Sequence, residues 1–213
     1  MKFTEYLKYV NTNSSRRITE SSLETVQPKN KDELVRILQN YFDREEPDWK
    51  CDLNWIDTSK ITDMSNLFSH ALESSGGYGL GRFNGDISQW DTSNVKDMNN
   101  MFFASDFKGD ISNWDVSKVT NMQEMFENSK FNGDISRWNV SSVKNMRAMF
   151  RGSNFNKNIS KWNVHNVTDM SNMFANSKFN QDISNWDVRN VKDHKDAFKS
   201  SDCDLDFRPK FED

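Results

Sequence analysis

The chain of 213 residues carries a formal net charge of −4, with 35% apolar and 13% aromatic residues, two Cys and three Pro. That is a thin core, yet far too aromatic for a disordered chain. A membrane span is excluded because no apolar run approaches the roughly 20 residues a bilayer requires. Neither a disulfide scaffold nor a zinc site is suggested, because Cys51 and Cys203 stand far apart in the sequence with no CxxC or Cys/His cluster beside either.

At the start, Phe3, Tyr6, Leu7 and Val10 are spaced 3, 1 and 3, the period of a small amphipathic helix. The stretch MKFTEYLKYVNTNSSRRITESS lacks the apolar h-region of a signal peptide, so a cytoplasmic protein is expected, with cell-surface or virion association left open. Residues 11–27 have no sustained period and read as a linker, making 1–30 a leader and linker. Next, NKDELVRILQNYF places Leu34, Ile37, Leu38 and Phe42 on one stripe behind Pro28 and Asn30. This predicts an N-terminal capping helix over Asp32 to Asp43, within 31–48.

From there a repeat dominates. Phe83, Phe107, Phe131, Phe155 and Phe179 are each 24 residues apart, opening FNGDISQW, FKGDISNW, FNGDISRW, FNKNISKW and FNQDISNW. The unit reads F-N-G-D-I-S-x-W-D/N-V-S-x-V-x-N/D-M-x-x-M-F followed by four polar residues. Asp57, Thr58, Ser59, Ile61, Met64, Leu67 and Phe68 form an incomplete earlier copy. Ten residues are inserted before Phe83, around SSGGYGLG, and read as a surface loop. One partial and five full copies thus fill 49–202, and the acidic, polar residues 203–213 form a C-terminal cap.

Within a copy, Trp90 and Thr92 have the period of a strand, and Val95, Met98, Met101 and Phe102 that of a short helix. Neither is stable alone, so the copies must stack. Strands packed more tightly than helices would bend the stack, strands inward. The spacing I-x-x-W-x-V-x-x-V followed by M-x-x-M-F resembles the leucine-rich repeat pattern. More closely, FNGDISxWDVSxVxxMxxMF resembles the BspA-like leucine-rich repeat family, the mycoplasma lipoprotein-type repeat domain of unknown function. The expected fold is therefore α/β: a right-handed leucine-rich-repeat-like solenoid with short parallel strands on the concave face and short helices on the convex face. The resemblance also implies binding rather than catalysis, in a bacterium, its mobile elements or phages.

Little chemistry is visible. Asp86, Asp110, Asp134 and Asp182 recur once per copy beside Gly or polar residues, and a turn ladder explains them better than Ca²⁺. Ser88, Ser112, Ser136, Ser160 and Ser184 have no paired His and acid, so they are read as satisfying backbone groups. His70, His165 and His194 share no site, and GGYGLG lacks the Lys-Ser/Thr of a phosphate loop. The Trp and Met columns read as core, each indole N–H needing a carbonyl of the adjacent coil. No catalytic, cofactor or metal residue is assigned, and an enzyme is not expected.

The surface repeats in columns. Gln89, Asn113, Arg137, Lys161 and Asn185 form one, Asp91, Asp115, Asn139, Asn163 and Asp187 the next, and Ser93, Ser117, Ser141, His165 and Arg189 a third. Residues 131–178 carry seven basic and two acidic residues, a net +5 against −9 for the remainder. The candidate partner site is Arg137, Lys161, Asn139, Asn163, His165, Asp91, Asp115, Gln89 and Asn113. It fits an acidic protein partner, while the lack of interleaved aromatics argues against single-stranded nucleic acid. The expected function is a non-enzymatic, monomeric protein-recognition scaffold. The alternative is a phage structural or packaged virion protein, resting on Ile18, Thr19 and Glu20, which resemble the I-x-E end of capsid-targeting leaders.

Overall fold

The structure, a computed structural model, describes residues 25–43, 47–71 and 78–211. The leader with its expected short helix and I-x-E site, and residues 72–77 of the insertion, lie outside these.

Helix α1 spans Lys31–Phe42. The Asn30 side chain accepts the Glu33 N–H at 3.0 Å, and the Glu33 carboxylate accepts the Lys29 N–H at 2.9 Å, so two otherwise unpartnered donors at the helix start are satisfied. The apolar stripe buries Leu34, Val35, Ile37, Leu38, Tyr41 and Phe42. Phe42 stacks on Trp49 at 4.7 Å and Tyr41 meets Trp55 at 5.7 Å, which seats α1 over the first coil. Just ahead of it, Val26 pairs with Ile56 through two backbone hydrogen bonds.

Beyond α1 the secondary structure is not the expected one. Among the described residues there is no β-strand and no sheet, and the only other helical element is a 3-10 turn, Leu205–Phe207. This overturns the α/β leucine-rich-repeat solenoid, and with it the distinction between a concave strand face and a convex helical one. β pairing is limited to isolated parallel bridges, five of which join Asp63, Asp97, Asn121, Asn145, Asp169 and Asp193 in a single column.

Two local causes account for the difference. In the segment expected as a strand, Asp86 and Asp91 each accept the N–H two residues on, from Ser88 and Ser93, both at 2.9 Å. Such turns break the extended run on either side of Trp90. In the segment expected as a helix, Asn100 and Ala104 have φ of 53° and 52°. Left-handed residues cannot continue an α-helix, and they fall at the third position of the turns closed by Met101 N–H to Met98 O and Ser105 N–H to Phe102 O, the position that type II turns reserve for positive φ. The same pair recurs as Glu124 and Asn128, Ala148 and Gly152, Asn172 and Asn176, Asp196 and Ser200.

The copies nonetheless stack as coils. The N–H groups of Met98, Asn100, Phe102 and Ala104 donate forward to the carbonyls of Asn121, Gln123, Met125 and Glu127, at 2.7 to 3.0 Å, and each later junction repeats this row of four. Lys96, Thr120, Lys144, Thr168 and Lys192 form a second row that donates backward. Inside, Phe68, Phe102, Phe126, Phe150, Phe174 and Phe198 stack at 5.4 to 5.7 Å. Phe83, Phe107, Phe131, Phe155 and Phe179 form a parallel column at 6.0 to 6.3 Å. Trp90, Trp114, Trp138, Trp162 and Trp186 are buried, and each indole N–H donates to the carbonyl of Leu53, Ile87, Ile111, Ile135 or Ile159 in the preceding coil at 3.0 to 3.2 Å.

The array begins inside the expected 49–202 and runs past its C-terminal bound. Asp52 bridges to Asp86 and Leu53 N–H donates to Asp86 O, so the first copy already begins before Asp57. At the other end, Cys203 is buried 24 residues after Phe179 and prolongs that column. The tail then lays Phe207 O on Ile183 N–H at 2.9 Å and Phe211 flat on His194 at 4.3 Å. Leu80 is 2% exposed, so the C-terminal part of the insertion belongs to the core and not to a surface loop.

Candidate recognition face

The first surface column, Gln89, Asn113, Arg137 and Lys161, stands exposed in successive turns at one register of the coils. Arg137 and Lys161 make no ion pair among the described residues. Of the other basic residues in 131–178, Arg151 pairs with Glu127 at 3.5 Å and Lys178 with Asp202 at 3.3 Å. Burial pushes the Glu127 carboxyl up, against the pull of Arg151.

Asp91, Asp115, Asn139 and Asn163 are also exposed, but one oxygen of each is committed. It accepts the backbone N–H of Ser93, Ser117, Ser141 or His165, at 2.9 to 3.2 Å. The Ser117 hydrogen bonds hold the Asp115 carboxyl below its ordinary value. This column therefore builds the turn that presents its neighbours, leaving its second polar atom for any partner.

His165 closes the face toward the C-terminus. Its Nδ1 lies 2.9 Å from Asp187 Oδ2 and its Nε2 3.2 Å from Asn190 Nδ2. Arg189 grips the same Asp187 carboxylate through Nε and Nη2, each at 2.8 Å. Arg189 first, and then His165, hold the Asp187 carboxyl far below the usual carboxylate range. The structure thus joins His165 to Asp187, Arg189 and Asn190, a network that the sequence columns alone do not assemble. Its signal was the 24-residue offset of His165 and Arg189, which puts them on adjacent coils.

The Asp86 column serves turns: Asp86, Asp110, Asp134, Asn158 and Asp182 each accept the N–H of the residue two on, at 2.9 Å. The serines, expected to satisfy backbone groups, instead donate to these side chains: each through its backbone N–H, and Ser184 through its hydroxyl as well, at 2.7 Å from Asp182 Oδ1. Among the described residues no group of three or more His, Cys, Asp or Glu converges on a point that could hold a metal ion. No helix there is long and apolar enough to cross a membrane. Both cysteines are free and buried.

The family model described as "Mycoplasma protein of unknown function, DUF285" matches residues 35–152 and 103–206, two overlapping stretches that span the coil array. Neither a curated protein nor a solved structure matches the chain.

Proposed function

From the premise that the chain belongs to this Mycoplasma repeat family of unknown function, we propose that it is a non-enzymatic recognition scaffold holding an acidic protein partner on the face of Arg137 and Lys161. The observation that carries the reading is two exposed cations at one register of consecutive coils, neither neutralised by an ion pair, above turns fixed by Asn139 and Asn163. Unpaired surface charge speeds and orients encounter with a partner of opposite sign. The consensus F-N-G-D-I-S-x-W supports kinship with BspA-like repeats in sequence, and with it binding in a bacterial or mobile-element setting.

The test is capture of host proteins on the immobilised chain. Arg137→Glu with Lys161→Glu should abolish capture of the partner, with the circular dichroism spectrum and melting temperature unchanged, because both side chains are exposed. Each single change should weaken binding by about 1 to 2 kcal/mol. Lys144→Glu with Arg147→Glu makes the same charge change elsewhere on these coils. Equal loss from both double variants, or loss from neither, removes any special role for this face.

A further inference from the structure

A second cationic feature lies at the N-terminal end of the array, on residues outside the surface columns of the recognition face. A groove of about 690 Å³ runs between the segment preceding α1 and the first three coils, and four lysines line it: Lys29, Lys60, Lys96 and Lys118. No carboxylate lines it. None of the four forms an ion pair among the described residues, and only Lys118 has a hydrogen-bond partner for its ammonium, Asn94 Oδ1 at 2.8 Å. Asn94 in turn donates through Nδ2 to Ser59 O at 2.9 Å, so Lys118 is tied across the coils to the groove wall. The nearest acids turn to other donors: Asp57 accepts from Gln27 Nε2 at 2.6 Å and from the Ser59 N–H at 3.0 Å, and Asp115 from the Ser117 N–H.

Four like charges lining one groove, offset only at longer range by Asp57 beside Lys60 and Asp115 beside Lys118, repel one another, and a multivalent anion relieves that repulsion. The chemistry of the wall selects the anion. It contains no Arg to read a planar group bidentately, only ammonium point charges, which bind phosphate through charge alone, so the density of negative charge decides the ligand. The hydroxyls of Ser59 and Thr62 add donors. The lining includes no aromatic ring, so it offers no platform for a base or sugar. We propose that this groove binds a condensed phosphate chain of three or more negative charges. The site is distinct from the Arg137 and Lys161 face and does not depend on the function proposed for it.

Isothermal titration of the full chain with inorganic tripolyphosphate, at fixed ionic strength, tests this. One-to-one saturable binding is expected, weakened roughly ten-fold in Lys60→Gln with Lys96→Gln and unchanged in Arg137→Glu with Lys161→Glu. Lys60 and Lys96 are exposed, so the variant should keep the native circular dichroism spectrum. Absence of saturable binding overturns the proposal, as does wild-type affinity in the lysine variant. Citrate, with fewer charges and planar carboxylates, should bind more weakly, and equal affinity overturns the phosphate assignment. ATP should bind no tighter than tripolyphosphate, and a clear preference for ATP overturns a ligand of phosphate chain alone.

Discussion

Gly85 lies where the chain passes closest to the preceding coil. A Cβ built on it would sit 2.0 Å from Cys51 O and 2.8 Å from the Phe83 ring. At Gly133, two copies on, the corresponding carbonyl of Gly109 is 3.8 Å away and only the Phe131 ring is close. The fourth and fifth copies carry Lys157 and Gln181 at this register, so a side chain is accommodated there. Gly85→Ala should therefore cost about 1 to 3 kcal/mol, as overpacking against fixed backbone does, and Gly133→Ala less than about 1. Urea unfolding of the two variants measures the difference, and equal loss would contradict the close approach at Gly85. Cys51, whose carbonyl makes that approach, carries a thiol that burial pushes up to about 11, so it stays protonated and packs as a small apolar group.

Among the elements, the insertion divides in two. Leu80 is in the core, and Gly81 O accepts the Asp106 N–H at 2.9 Å, so these residues begin a coil and do not close a loop. Leu80→Ala should cost about 2 to 5 kcal/mol, near the 3 to 5 expected of Trp138→Ala. A Leu80→Ala variant as stable as the parent would return the residue to the loop. The copy length, the buried columns and the need of each indole N–H for a carbonyl were legible, because an invariant 24-residue offset fixes which residues coincide. The conformation within a coil was not. Val95, Met98, Met101 and Phe102 face inward at a helical spacing, but through turns that contain left-handed Asn100, and hydrophobic period alone does not separate the two. Asn66, Asn100 and Asn172 at one register, and Asn128, Gly152 and Asn176 at another, were the available signal, since Asn and Gly are the residues that tolerate positive φ. At the site, exposure of Arg137 and Lys161 was legible from their position beside the buried Trp. The backbone duty of Asp91 and Asp115 was not, because it depends on turns that a strand assignment hides.

Across the whole molecule, carboxylates holding turns tie stability to acid pH. Hydrogen bonds from Ser88, Ser136 and Ser184 hold the carboxyls of Asp86, Asp134 and Asp182 below their ordinary 3.8. A carboxyl whose folded value lies below its unfolded one stabilises the native state fully above the unfolded value, and that contribution is lost as pH falls through the folded one. The melting temperature should accordingly drop below about pH 4. Asp86→Asn with Asp134→Asn and Asp182→Asn should shallow that drop by lowering the neutral plateau, since an Asn side chain holds the same turn, as Asn158 does at 2.9 Å, but without the charge that supplies the pH-dependent part. An unaltered acid limb would detach these groups from it.

The forward-donating row has an electrical consequence. In each coil the peptide units ahead of Met98, Asn100, Phe102 and Ala104, and their equivalents, point their N–H groups the same way, and the Lys96-type and Asp106-type peptides that donate backward offset only part of this. Strand dipoles alternate in a sheet and largely cancel. Here the wall adds them, as a helix does, with its positive pole at the last coil and its negative pole at the first.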